Sequence, residues 1–202
     1  MTSSELLYVR ATNTEEIAHL EQLGFTKQHV VAQLRQNIPL DASNDVKVRK
    51  ATSSDIPELI KLEREFEDHM RSPEIKAMFD SETDDEMREG FEEQLSNPEF
   101  ITLVAELNDE IVGMAYACST SYSSLHSGER RPPNSATFAK AVVTENHRRK
   151  GIGRSLTSEV VHQLRLMGFE TIVSDWRILN TEANEAWSKL GFEPTWYRMV
   201  NE

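Results

Sequence analysis

Apolar residues along this chain recur at two periods, and the changes of period mark its elements. Ile17, Leu20 and Leu23 return at helical intervals behind Thr12 and Glu15, which have capping-box spacing, and Gly24 closes that helix. Val30, Val31 and Leu34 predict a second short helix over 27–36, and Pro39 with the polar run 41–45 reads as a linker. Residues 1–44 are therefore expected to form a helical N-terminal extension and residues 45–202 the main domain. From Val46 to Arg49 the pattern alternates as in a half-buried strand. Leu59, Leu62 and Phe66 define a helix that Asp55 can cap, and Met87, Phe91 and Leu95 define another over 84–95. Apolar runs at 100–107 and 110–120, parted by Asn108 and Asp109, predict a hairpin.

A polar loop ending in Pro132 and Pro133 leads to a strand over 136–144. Ile152, Leu156, Val160 and Leu164 then stripe a helix that Gly168 stops. A strand at 170–175, a helix at 181–190 and a last strand at 192–200 complete the chain. This alternation after residue 45 implies an α/β sheet with helices on its faces. Residues 8–23 resemble 46–62 only with a gap, so no repeat is read there.

Composition narrows the function. The 202 residues include 22 basic and 34 acidic side chains, for a net charge of −12. That balance argues against nucleic-acid binding, which needs cations to neutralise phosphates; it suits a cationic small molecule, although acidic surfaces commonly serve solubility alone. No apolar run approaches the roughly 18 residues that cross a bilayer, and neither a membrane partner nor an export signal is expected. Cys118 is the only cysteine, which excludes an intramolecular disulfide and fits a reducing, cytoplasmic setting. Six histidines show no metal-ligand spacing, so no metal is implied.

Against this acidic background, Arg148, Arg149, Lys150 and Arg154 surround Gly151 and Gly153 between an apolar run and a helix. A strand entering Gly-x-Gly and then a helix leaves unpaired backbone N–H groups at the positive end of the helix dipole, a setting suited to a diphosphate. The glycines let backbone approach the anion, and the long cations can hold it from the rim. The turn lacks the Gly-Lys-Ser/Thr end of an ATP loop, and Leu156 stands where a dinucleotide fingerprint needs its third glycine.

The run Arg148-Arg149-Lys150-Gly151-Ile152-Gly153 resembles the Gln/Arg-x-x-Gly-x-Gly/Ala motif of the GCN5-related N-acetyltransferases (GNAT). Asn180, Ala183, Lys189, Leu190, Gly191 and Phe192 match that family's Asn-x-x-Ala…Gly-Phe pattern, and the resemblance spans about 46–200. It implies the GNAT fold, a mixed central sheet flanked by helices, with splayed parallel strands holding coenzyme A. Acetyl-CoA would then be the co-substrate. Residues Arg148, Arg149, Lys150, Gly151, Ile152, Gly153 and Arg154 would bind its pyrophosphate, Val142 and Val143 would face the thioester and pantetheine, and Asn180 would contact the cofactor while capping its helix. The implied activity is acetyl transfer by direct attack of a primary amine, on a cationic small molecule, a lysine or an N-terminus. The helix carrying the acidic run 80–93 would border the acceptor.

The sequence departs from the family at Trp187, which occupies the place of the usual acid, a tyrosine. Tyr197 on the last strand is a candidate replacement, and Asp175 at the end of its strand is a candidate base or substrate anchor. Glu106 and His126 are weaker candidates, and Cys118 suits a core position better than an acetyl acceptor. The alternative reading is a coenzyme A-binding regulatory module that has lost catalysis. A homodimer, the commonest closed assembly, is compatible with either.

Overall fold

A computed structural model describes residues 5–35, 38–39 and 46–201. Its elements run β1 (Glu5–Arg10), α1 (Thr14–Gln22), β2 (Thr26–Leu34), β3 (Lys47–Lys50), α2 (Ile56–Met70) and α3 (Asp84–Ser96). There follow β4 (Phe100–Leu107), β5 (Glu110–Ser119), β6 (Ser135–Val143), α4 (Ile152–Leu166), β7 (Thr171–Arg177), α5 (Thr181–Lys189) and β8 (Phe192–Asn201). The strands form one mixed sheet in the order β1-β8-β2-β7-β6-β5-β4-β3. Among the described residues, only the β6–β7 pair is parallel.

Local chemistry accounts for the elements that the periodicity anticipates. Asn108 and Asp109 both take positive φ, 51° and 64°, as a tight turn between β4 and β5 requires. Thr83 and Glu86 form a reciprocal capping box at the start of α3. Asp55 is buried at the start of α2, where it takes two bonds from Arg49 at 2.7 and 2.9 Å. That guanidinium, aided by Thr52, holds the Asp55 carboxyl down at about 2.

Residues 27–36 depart from expectation. Instead of a second helix, Thr26–Leu34 is a strand held on both edges, by β7 and by β8. Val30, Ala32 and Leu34 bury one face of it, while Val31, at 1% exposure, is buried on the other. A residue run buried on both faces imitates a helical stripe, and only distant strands decide between the two. The N-terminal segment is thus not purely helical: β1 and β2 belong to the same sheet as the other strands. The polar run 41–45 lies outside the described residues.

The two faces of the sheet are built differently. On one, α4 buries Ile152, Leu156, Val160 and Leu164 against Val30, Ala136, Phe138 and Ile172, with α5 beside it. α1 extends this layer over Val9 and Met199. On the other face, α2 and α3 pack Leu59, Leu62, Met87 and Phe91 against Val104, Met114 and Val142.

Two strand–helix–strand units share a plan. Asn13-Thr14-Glu15 and Leu23-Gly24-Phe25 recur as Asn180-Thr181-Glu182 and Leu190-Gly191-Phe192, with the asparagine eleven positions before the glycine in both. Each helix has nine residues. Each asparagine accepts from the third residue beyond it, Glu16 N at 3.3 Å and Ala183 N at 3.0 Å. Gly24 and Gly191 close the helices at φ 91° and 90°. Because β2 pairs with β8, β1 with β8 and β2 with β7, the units exchange under a local twofold axis. The equivalent bonds Ala11 N to Thr195 O, 2.9 Å, and Ile178 N to Gln28 O, 3.0 Å, obey the same exchange.

The feature that positions the site is the end of the parallel pair. β6 and β7 share a ladder only over Ser135–Thr137 and Thr171–Val173. A bond from Ser174 Oγ to Phe138 O, 2.9 Å, is their next tie. Opposite β5, Lys140 pairs with Tyr116 and Phe138 with Ala117, which leaves Ala139 as an extra residue. Such a bulge bends its strand, and here it lies where β6 parts from β7.

Candidate active site

A cleft of about 690 Å³ runs from this opening to the start of α4. Its walls are β6 at Ala141–Val143, the turn between β6 and α4, and the near side of α5; Phe66 and His69 of α2 close one end. The turn reaches its shape through two left-handed residues, Arg149 at φ 60° and Gly151 at φ 84°. Gly151 is the N-cap of α4 and supplies no side chain to satisfy the first N–H groups. No acidic residue occupies the first turn, so the positive end of the dipole faces the cleft uncompensated. A Cβ on Gly153 would meet only Val143 Cγ2, at 3.8 Å, so the backbone is open on that side.

Eight of the ten residues expected to serve the cofactor line this cleft: Val142, Val143, Arg148, Arg149, Gly151, Gly153, Arg154 and Asn180. The other two are turned away. Lys150 bends back to the carbonyl of Asn146 at 3.0 Å, and Ile152, 1% exposed, roots α4 in the core. Arg148 spans the cleft mouth, donating from Nε to Val143 O at 3.1 Å and lying 3.7 Å from Glu182. Asn180 is buried and caps α5, and its amide nitrogen lies 3.8 Å from Met70 Sδ. Trp187 is wedged edge-on to Phe138 and Phe192, at centroid distances of 4.9 and 5.1 Å, which makes it a wall of the cleft.

Asp175 and Tyr197 are not brought together. Tyr197 stands in register with Val30 and Val9, on the α1 side of the sheet, with the Lys27 ammonium 5.1 Å from its ring. Neither Tyr197 nor Asp175 is among the residues that line the cleft. Asp175 points to the opposite face, since Ile172 and Trp176 belong to the core beneath α4. Burial lifts its carboxyl to about 6, against an opposing pull from Arg198.

The remaining candidates have structural surroundings. Glu106 binds Arg49 Nε at 2.7 Å beside β3, and Cys118 is buried with its thiol pushed up to about 11. His126 is fully buried, bonded to Ser123 at 2.9 Å, and burial lowers it to about 4. The acidic run on α3 does not border the cleft: α3 packs on α2 and β4, and Asp84 pairs with Arg64 at 2.7 Å. Sequence reading missed the ion pair of Lys140 with Glu63, set against Phe66 and Tyr116 on the α2 face of β6. Strict alternation along β6 gave no signal for it, because the bulge at Ala139 resets the parity.

A helix-flanked mixed sheet whose one parallel pair opens over a cationic, glycine-cornered helix start is the architecture of an acyl-group transferase. The chain belongs to the acetyltransferase (GNAT) family, whose profile matches residues 61–192. It is accordingly an acetyltransferase with acetyl-CoA as co-substrate. Among solved structures, an aminoglycoside N-acetyltransferase in complex with CoA is similar at 18% identity and a TM-score of 0.60, over 74% of this chain and 89% of that one. A GCN5-related N-acetyltransferase from Sphaerobacter thermophilus is similar at 17% identity and 0.66, over 98% of this chain and 58% of that one. A ribosomal-protein-alanine N-acetyltransferase from Brucella melitensis gives 19% and 0.57, over 76% and 96%. These are likenesses of fold. Among curated proteins, none matches the sequence closely enough to count as a relative.

Proposed function

We propose that this protein moves the acetyl group of acetyl-CoA to a primary amine, on a small molecule or a peptide, by direct attack within one complex. The observation that carries the reading is the continuity of the cleft, from the bare N-terminus of α4 to the parting of β6 and β7. In this reading the N–H groups at Gly151–Gly153, with Arg149 and Arg154, hold the pyrophosphate. Val142 and Val143 flank the pantetheine arm, and Asn180 fixes the far wall. The site lies in a cytoplasmic protein, in keeping with one buried thiol.

The chemistry needs a neutral amine. Its nitrogen attacks the thioester carbonyl, the carbon–sulfur bond breaks, coenzyme A leaves as thiolate, and one amine proton must depart. In this reading Asp175, two residues past the last parallel pairing of β7, is the base, and its raised affinity for a proton suits work near neutral pH. Arg198, nearby, keeps it ionised above about pH 6.

Calorimetry with acetyl-CoA and a spectrophotometric screen of thiol release across primary amines test the proposal. Micromolar to millimolar binding with turnover on at least one amine is expected. No binding at millimolar acetyl-CoA, or binding without turnover across a broad panel, would overturn it.

A further inference from the structure

The α2 face of the sheet carries charges that the cofactor cleft does not use. Strand register sets Tyr8, Arg198, His29 and Arg177 in one row across β1, β8, β2 and β7. Residues directly opposite in antiparallel strands share a face, so all four point the same way. The next row is Arg10, Trp196, Val31 and Asp175. α2 and α3 pack over β4, β5 and β6. What reaches the β1 end of these rows is the loop after β5, which lays Arg130 3.6 Å over the Tyr8 ring and Glu129 3.4 Å from Arg10.

This patch reverses the sign of the protein as a whole. Arg198 donates from Nη2 to Gln28, but its Nε is buried with no hydrogen-bond partner, and its charge acts on the Asp175 carboxylate. His29 Nδ1 is likewise buried and unpartnered. Burial, then the charges of Arg198 and Arg177, press His29 down to about 3, so it adds no cation and no counter-charge. Asp175 is the carboxylate nearest in the rows, and Glu63 across the opening is already taken by Lys140. A partly desolvated guanidinium with an unmade bond is costly to keep in a folded chain, and an incoming anion would remove that cost.

Taking the acetyl-transfer reading as its basis, we propose that the acceptor amine carries its own anionic group, a carboxylate or phosphate, held by Arg198 and Arg177 while the amine faces Asp175. Asp175 and Arg177 are same-face neighbours two residues apart, a separation of roughly 7 Å along a strand. Two ligands that far apart suit a compact amine with its anion a few bonds away, such as an amino acid or an aminoalkyl phosphate. A polyamine would meet guanidinium groups on one side of the carboxylate. The surface charge of −12 repels anions in general, so the arginines serve selection at the site and not capture from a distance.

Matched acceptors decide the matter with the full chain. Rates of thiol release are measured for amino acids against their carboxamides, and for phosphoethanolamine against ethanolamine, with spermidine as the cationic arm. The anionic member of at least one pair is expected to have a kcat/KM tenfold or more above its neutral partner, and the pair that shows it separates carboxylate from phosphate. Arg198→Gln, and independently Arg177→Gln, should collapse that ratio toward one, with acetyl-CoA affinity followed as the check of folding. Neutral amines or spermidine turning over as well as every anionic member would overturn this inference while leaving acetyl transfer intact. Loss of all turnover despite bound acetyl-CoA would overturn both. The wild-type ratios need no variant, so a misfolded substitution cannot rescue the idea.

Discussion

The units β1–α1–β2 and β7–α5–β8 are built alike, yet only the second borders the cleft. Both have the asparagine cap, the nine-residue helix and the glycine near φ 90°. Asn13 is exposed and its amide nitrogen bonds Glu16 at 2.7 Å, whereas Asn180 is buried against Met70. β1 is the edge of the sheet, while β7 has a parallel neighbour that parts from it. The Asn-Thr-Glu…Leu-Gly-Phe pattern therefore specifies a strand–helix–strand corner and no more. Binding capacity comes from what stands beside the corner: the bulged β6 and the cationic turn after it.

Removing residues 1–45 asks whether the N-terminal unit is an accessory. It strips β8 of both its partners and β7 of one, so loss of cooperative folding is expected, read as a missing thermal transition by circular dichroism. A truncated chain that melted like the full one would break the comparison.

Gly153→Glu tests what the turn gives the C-terminal unit. A carboxylate at the diphosphate site should weaken acetyl-CoA at least about a hundredfold by calorimetry, through charge repulsion at a helix start. Unchanged affinity would remove the turn from the site.

Asp175 and Tyr8 occupy equivalent places in the two units, five residues before the respective asparagines. Asp175→Asn should lower kcat about a hundredfold. In the wild type, rate should rise with pH through about 6, because the carboxylate accepts a proton only when ionised. That limb should vanish in Asp175→Asn and persist in Tyr8→Phe. Stability gives an opposite sign. The folded carboxyl holds its proton more tightly than an unfolded one, so stability falls as pH rises from about 4 through the folded value of about 6 and is flat beyond it. Asp175→Asn should accordingly be more stable at pH 8 by about 1–2 kcal/mol, with no gain near pH 3, by denaturant titration.

The smallest effect is the most discriminating. Asn13→Ala and Asn180→Ala should each cost about 1 kcal/mol as lost caps. Only Asn180→Ala should also weaken acetyl-CoA, by a few-fold. Equal cofactor affinity in both variants would reduce Asn180 to a cap.

What the chain discloses in advance follows from how local each feature is. The hairpin at Asn108 and Asp109, the helix on Leu59, Leu62 and Phe66, and the turn at 148–153 are decided by residues within a few positions, and pattern reading finds them. β2 is different. Val30, Val31 and Leu34 satisfy a helical spacing, and their strand state depends on β7 and β8, which come far later in the chain. The arginine rows were hidden for a related reason: they draw one residue from each of four strands, across register shifts at Lys27/His29 and Val31/Ala32. That Tyr197 faces the α1 side likewise emerges only from the register of β8 with β1 and β2, which one strand cannot supply.

The interleaving of β2 between β7 and β8 also sets the order in which the molecule can be made. Leu34 pairs with Phe192, so the first strands leave the ribosome long before the residues that receive them. At ordinary elongation rates that wait lasts roughly ten to thirty seconds, far longer than a hairpin needs to form. During it the strand edges of the N-terminal segment are exposed to other chains. Closing the sheet is thus a late event that joins the two ends of the polypeptide, and the face that carries Asp175 and Arg198, which needs β2, β7 and β8 together, is the last part of the enzyme to exist.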